Sequence, residues 1–329
     1  MRSFTAHRLE ITATVATPIA LNDHQGSALR GALFHALYDR FCVNKAAREC
    51  AECPLVQRCP VATLMATWRP DGERGGNVPR PYTIEPPLHA RHIYQPGDTL
   101  RWSITLFADA LTLIPYLILG VQALEDEGLG KALPQSNGRW QRGHLVVEEI
   151  AAVHPWRNQR QLLYRRGARV VAQPALPITA DDVAERVAAL RGDRLQVEFL
   201  TPTRLIENKR LVHRPFFRPL FQRLVERISA LSRHFASASL DDPKALLSSC
   251  LDVRVIDDRT TWVELQSYST RQQRATPTGG FVGSVSFAGD FEPALPFLVW
   301  GELTHVGKDA VKGNGWFTLR PEVVKKATL

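Results

Sequence analysis

The chain has 329 residues, 44% hydrophobic and 22% charged. That is an ordinary globular composition, long enough for two domains that each bury a core. Its 41 basic residues outweigh 33 acidic ones, leaving a net charge of +8 that brings nucleic acid forward among possible partners. The N-terminal "MRSFTAHRLEITATV" alternates like a strand and does not read as a signal peptide. The longest apolar run, near "ALTLIPYLILGV", is about a dozen residues and holds Pro115, whereas spanning a bilayer takes about 20. A soluble, cytoplasmic protein with no membrane partner is expected.

Residues 8–15 alternate as a strand, and a helix is predicted from Gly26 to Phe41, with Leu29, Leu33, Ala36 and Leu37 on one stripe. A cysteine-rich segment and a Gly/Pro-rich stretch follow, the latter a loop or an edge strand. "DTLRWSITLFA" reads as a strand, "TLIPYLILGVQALEDEGLG" as a helix and "HLVVEEIAAV" as a strand. Residues 153–193 read as a basic linker holding a hairpin and a short helix. The grammar then repeats: strand "RLQVEFLTP", a helix from Pro215 to Phe235, strands "TTWVELQSYS" and "GGFVGSVSFAG", helix "EPALPFLVWGELTHV" and strand "GWFTL". The predicted class is α+β, with two tandem ferredoxin-like (RRM-like, β-α-β-β-α-β) domains over 1–152 and 194–329, born of a duplication. A cysteine-rich, metal-binding insertion at about 42–60 interrupts the first.

In both halves the second helix runs into a glycine-rich stretch, "GLGKALPQSNGRW" and "GKDAVKGNGWF". The second is not a Walker A loop. Gly301 precedes Gly307 by one residue too many, and Asp309 follows Lys308 where a hydroxyl should bind magnesium. Nor is it a dinucleotide fingerprint, because the loop follows a helix and opens a strand. A helix C-cap and turn is the plain reading. The functional one is a clamp on phosphates through Lys308, Lys312 and the bare amides around Gly307, Gly313 and Gly315.

Basic residues cluster twice. Arg157, Arg160, Arg165, Arg166 and Arg169 stand without an acid among them. Arg204, Lys209, Arg210, Arg214, Arg218, Arg223, Arg227 and Arg233 face only Glu207 and Glu226. A solvated basic face is the ordinary explanation. Interleaved Trp156, Tyr164, Phe216 and Phe217 tilt the reading toward a nucleic-acid track.

Cys42, Cys50, Cys53 and Cys59 are spaced C-x7-C-x2-C-x5-C. Four clustered thiols suit a structural zinc site, and the x5 spacing also resembles an iron–sulfur (4Fe-4S) cluster. Four cysteines leave no open position on a metal, so no cofactor is expected in catalysis. Cys250 stands alone and is expected to be buried.

Three stretches in matching order, "SALRGALFHALYDRFC", "FLTPTRLIENKRLVHRPFFRPLFQRLVERISALSRHF" and "GGFVGSVSFAGDFEPALPFLVWGELTHVGKDAVKGNGWF", resemble the CRISPR-associated RAMP endoribonucleases that cut precursor CRISPR RNA within its repeats. The resemblance implies metal-independent cleavage: the ribose 2′-hydroxyl attacks the adjacent phosphorus, leaving a 2′,3′-cyclic phosphate and a 5′-hydroxyl. It also implies that the cut RNA is retained, and it makes repeat RNA and other CRISPR effector subunits the expected partners. A histidine on or near the first helix typically serves, assisted by lysine or tyrosine. The candidates are His35 with Tyr38, facing away from the core stripe; His24, just before the helix; and His305, beside the Gly-Lys loop, as base or RNA contact. Arg204, Arg214, Arg223, Arg227, Arg165 and Arg166 are the expected RNA contacts. The alternative is a catalytically silent RAMP subunit that only grips RNA. An iron–sulfur DNA nuclease would need acidic metal-binding clusters, and none is convincing.

Overall fold

The computed structural model describes residues 3–66, 78–88, 91–134, 138–238, 243–250, 252–269 and 274–322. The chain divides into two compact units. One is Ser3–Ile178 with Ala230–Ala238; the other is Thr179–Ser229 with Ser239–Leu329.

In the first unit β1 (Ala6–Val15) buries every second side chain, as a half-covered strand must. It runs antiparallel between β3 (Thr99–Phe107) and β4 (Leu145–Val153). β2 (Tyr82–Glu85), within the stretch read as a loop or edge strand, pairs outside β3. α1 (Gln25–Phe41) buries Leu29, Ala32, Leu33, Ala36 and Leu37, the expected stripe. α2 (Pro60–Met65) follows the cysteine segment. The next helical stretch is a 3-10 turn, α3 (Ile114–Gln122) and a final turn ending at Gly128. α1 and α3 approach closely at Gly120, where a Cβ would stand 2.6 Å from Leu37 Cδ2. The stretch Ala108–Glu127 is long and apolar enough to cross a membrane by length and composition, more than the apolar run alone suggested, and half of it is buried inside the unit.

The predicted linker does not exist as one. Its first part is β5 (Arg160–Arg165), which pairs antiparallel with β4 and makes the sheet five-stranded, in the order β2-β3-β1-β4-β5. Its last part is α4 (Ala180–Leu190), which belongs to the second unit. α4 opens with a capping box between Thr179 and Asp182, satisfying two helix N–H groups reciprocally.

The second unit is built on β6 (Arg194–Thr203), alternating like β1. A hairpin missed in the sequence follows, β7 (Leu205–Glu207) and β8 (Arg210–Val212). α5 (Phe217–Phe235) buries Phe217, Leu220, Phe221, Leu224 and Ile228 in this unit, and its residues from Ala230 on, Leu231 among the buried ones, are counted with the first unit. β9 (Arg254–Val263), β10 (Gly280–Ala288), α6 (Leu295–Thr304) and β11 (Phe317–Pro321) complete it. The sheet order is β9-β10-β6-β11. "TTWVELQSYS" is not one strand. The Leu265 carbonyl accepts the Thr278 and Gly279 N–H groups, so β9 ends and a separate ribbon begins at Gln266. Of the six elements each half was expected to hold, both sheets place the four strands in the same order: second, third, first, last. Beneath β11 the buried Glu302 accepts from the Leu319 N–H at 2.9 Å and from Arg186 Nη2 at 3.2 Å, which fixes the last strand to α6 and α4.

His7 on β1 is 4% exposed, and burial lowers its pKa below the ordinary 6.5. The unfolded chain therefore takes up a proton near pH 6.5 that the folded chain refuses. This group's contribution to stability is complete above that pH and lost as pH falls toward the folded pKa. Denaturant unfolding at pH 7.5 and 5.5 is expected to show a stability loss of at most about 1.4 kcal/mol per pH unit from this source. The loss should shrink in a His7→Leu variant; an unchanged pH slope would exclude His7.

Candidate functional site

α1 presents an outer face opposite its buried stripe. His35 and Asp39 are exposed there, with Gly31, Phe34 and Tyr38 half-buried. The spacing i, i+4 puts Phe34 beside Tyr38, with ring centroids 5.7 Å apart and planes 27° apart. The His35 ring meets Phe34 edge-on at 5.5 Å. Cations cover the aromatic faces: Arg30 lies 5.5 Å from the Phe34 centroid and Lys45 Nζ 5.8 Å from that of Tyr38. Lys45 is held by the Asp39 carbonyl at 3.2 Å. A Cβ at Gly31 would meet nothing within 4 Å, so the surface one turn before His35 is open. A ring nitrogen here can reach a polymer.

The other two candidate histidines do not share that freedom. His24 is 4% exposed and caps α1 through its carbonyl, which accepts the Ser27 N–H. His305 is fully buried and stacks on Trp316, centroids 6.1 Å and planes 14° apart. Both were candidate bases, and His305 a candidate RNA contact. Packing occupies both rings instead.

In the Gly-Lys loop several of the amides expected to be bare are already bonded, those of Gly313 and Gly315 among them. Lys308 N–H donates to the Arg204 carbonyl, Gly315 N–H to Pro202, Val306 N–H to Gly315 and Gly313 N–H to Ala310. Lys312 Nζ is paired with Asp309 at 2.9 Å, leaving Lys308 as the exposed lysine of the loop. The glycines serve close approach. Gly307, at φ 81°, abuts the Arg204 carbonyl, and Gly315, at φ 70°, abuts that of Val306. A side chain at either would overlap backbone. The first unit repeats the device. After β1 comes Thr17-Pro18-Ile19-Ala20, and at the end of β6 stands Thr201-Pro202-Thr203-Arg204. Gly130 abuts the Ala20 carbonyl and Gly143 that of Pro18.

Most candidate arginines are engaged. Arg204 Nη1 donates to the Gly279 carbonyl, Arg227 Nε to Thr304 at the end of α6, and Arg223 pairs with Glu226 at 2.7 Å. Arg165 pairs with Glu149 at 2.9 Å, and Arg166 lies 3.8 Å from Glu148. The two hydrogen bonds from Arg160 and Arg165 hold the Glu149 carboxyl below its ordinary pKa. Arg214 is exposed and forms no ion pair among the described residues.

The cysteines are not gathered as their spacing suggested. Cys42 caps the end of α1, Cys50 opens a 3-10 turn, Cys59 caps α2, and Cys53 Sγ accepts from Asn44 Nδ2 at 3.4 Å. All four are half-buried thiols, and among the described residues no group of three or more His, Cys, Asp or Glu side chains is arranged to hold a metal. Cys50 and Cys53 belong to the same turn, which Cys53 closes by donating its N–H to the Cys50 carbonyl, whereas Cys42 and Cys59 lie at the ends of two different helices. Cys250 is buried as expected, which raises its thiol pKa.

Residues 4–176, over half of the chain, match the family model AF_1859_N, an N-terminal domain, and residues 197–317 match that of the CRISPR-associated endoribonuclease Cas6. The chain belongs to the CRISPR-associated RAMP endoribonucleases. A comparison with curated protein sequences found no match. Among solved structures, a Cas6 (TTHB231) product complex is similar over 96% of this chain and 99% of its own, at TM-score 0.55 and 16% identity. The Thermus thermophilus Cas6 (TTHB231) aligns over 96% and 99%, at TM-score 0.52 and 15% identity. A partial Cas6-RT-Cas1--Cas2 complex aligns over 99% of this chain and 47% of its own, at TM-score 0.60 and 13% identity. These likenesses establish a Cas6-like, mixed α+β fold with antiparallel sheets. Sequence reasoning singled out His35 and Tyr38 on this RAMP fold but missed Arg30, Phe34 and Lys45 around them. The i, i+4 ladder Arg30–Phe34–Tyr38 was the available signal.

Proposed function

We propose that this RAMP endoribonuclease cuts precursor CRISPR RNA within its repeats without a metal, on two tandem ferredoxin-like domains. The observation that carries the reading is the open face of α1, where an exposed His35 stands among Phe34, Tyr38, Arg30 and Lys45. His35 takes the proton of the ribose 2′-hydroxyl. The 2′-oxygen bonds to the adjacent phosphorus, and the bond from phosphorus to the 5′-oxygen breaks. Tyr38 Oη or Lys45 Nζ returns a proton to that leaving oxygen, and the neighbouring cations offset charge on the phosphorane. The products are a 2′,3′-cyclic phosphate and a 5′-hydroxyl, and the cut RNA stays bound. The matched structures include a Cas6 with its product and a Cas6 within an assembly with Cas1 and Cas2, which supports repeat RNA and other CRISPR proteins as partners.

Incubating the protein with labelled repeat RNA in EDTA tests this directly. One cut per repeat with a cyclic phosphate end is expected. Tight binding with no cut would leave only the silent subunit reading, and 3′-hydroxyl ends would exclude the mechanism. Lys308 is the remaining exposed cation of the Gly-Lys loop, so Lys308→Ala should weaken RNA binding. It should also lower the slope of log affinity against log salt by about one; an unchanged slope would remove the loop from the RNA path.

A further inference from the structure

The second unit holds a cavity of about 470 Å³ beside the β7–β8 hairpin, within the size range of small-ligand sites. We propose that it receives one unpaired nucleobase of the bound RNA. The proposal rests on the RNA reading above and adds a specificity site to it.

The hairpin turns at Asn208 and Lys209, both left-handed at φ 47° and 65°, as a two-residue turn requires. That turn throws Lys209 and Arg210 into solvent. Val212, buried, and Leu211, half-buried, line the apolar part of the cavity. Two aromatic groups offer faces. The exposed His213 ring lines the cavity and is backed by the Trp262 ring, centroids 4.7 Å and planes 47° apart. Phe216 is 57% exposed although Phe217, its neighbour, is 3% exposed and belongs to the core. A large apolar ring left in water at a cavity wall is the side chain that stacking on a base would cover.

The charges agree with that occupant. Arg204, Arg223 and Arg227 are spent on carbonyls and a carboxylate within this unit. Arg210, Arg214 and Arg218 are exposed, and among the described residues none of them forms an ion pair. They can follow the phosphates on either side of an inserted base. Glu207 and Asn208, at the hairpin end of the cavity, supply a carboxylate acceptor and an amide for the base edge. A base within a duplex has both faces stacked and its edge paired, so the cavity selects an unpaired nucleotide.

The test measures affinity for a short unstructured RNA and for a blunt duplex of the same sequence, both in EDTA. Phe216→Ala is expected to weaken binding of the unstructured RNA about 5- to 100-fold and to leave duplex binding unchanged. Phe216→Trp should restore it, and Arg210→Ala should reduce the salt slope by about one. Phe216 is exposed, so its variants should unfold at the wild-type denaturant midpoint. Phe216→Ala binding within about twofold of wild type, or losing affinity equally for the duplex, overturns the base-insertion site alone. Wild-type protein that binds neither RNA overturns this proposal and the RNA reading together.

Discussion

Replacing His35 by alanine is expected to slow single-turnover cleavage of repeat RNA by roughly 10²- to 10⁴-fold, the range a positioned general base contributes. RNA affinity should change little, because His35 forms no ion pair among the described residues and sits on a surface already lined by Arg30 and Lys45. The variant should also fold normally, since the side chain is exposed and alanine favours a helix. The separation of rate from affinity is what distinguishes a base from a binding contact. A variant cutting at the wild-type rate would remove His35 from the mechanism. With His24 4% exposed and His305 fully buried, neither is an immediate replacement. A His35→Ala loss of binding as large as its loss of rate would make the histidine an anchor for RNA. Tyr38→Phe keeps the ring that stacks on Phe34 and deletes only the hydroxyl, so a slowed cut with unchanged affinity would assign that hydroxyl to proton transfer.

Gly315→Ala is expected to destabilise the second unit by about 3 kcal/mol or more, without touching a charged group. Two costs combine. The backbone holds φ at 70°, a conformation an L side chain resists, and the added Cβ would overlap the Val306 carbonyl. Relief by moving the loop would break the Gly315 N–H bond to Pro202, which docks it on the end of β6, and the Val306 N–H bond to Gly315, which closes the loop on itself. Denaturant unfolding should show a lower midpoint, with RNA binding normal in buffer wherever the protein stays folded. Loss of RNA affinity at unchanged stability would show instead that Gly315 is there for the ligand. Lys308→Ala is the contrasting case, with affinity reduced and stability kept.

Much of the fold was legible because burial leaves a period. β1 and β6 alternate and α1 and α5 carry apolar stripes, and each stands within a few residues of its expected place. The hairpin at Leu205–Val212 was not legible: three-residue strands carry too little alternation, and their turn is Asn-Lys where Asn-Gly would have been a clear signal. β5 and α4 fall in the segment where a hairpin and a short helix were expected, but the arginines of β5 made that segment read as a linker instead of part of the sheet. At the site, residue type was readable and reach was not. His24, His35 and His305 are equal as letters, and only tertiary packing exposes one of them. The glycines of the Gly-Lys loop were read as a turn or as bare amides for phosphate, and in the fold Gly307 and Gly315 let backbone approach backbone. The cysteine spacing is a local regularity that the fold does not assemble among the described residues.

β5 lies at the margin of the first sheet, and the chain that follows covers part of its outer edge: the Leu163 carbonyl accepts the Ala172 N–H, and the Gln161 side chain bonds Gln173 and Ala175. Arg160 and Arg165 stand on that margin, 42% and 66% exposed, each tied back to Glu149. Adding a foreign strand there would mean desolvating two guanidinium groups. Two arginines of the basic cluster are thus held by Glu149 at the edge of a sheet, where charge disfavours the addition of a further strand.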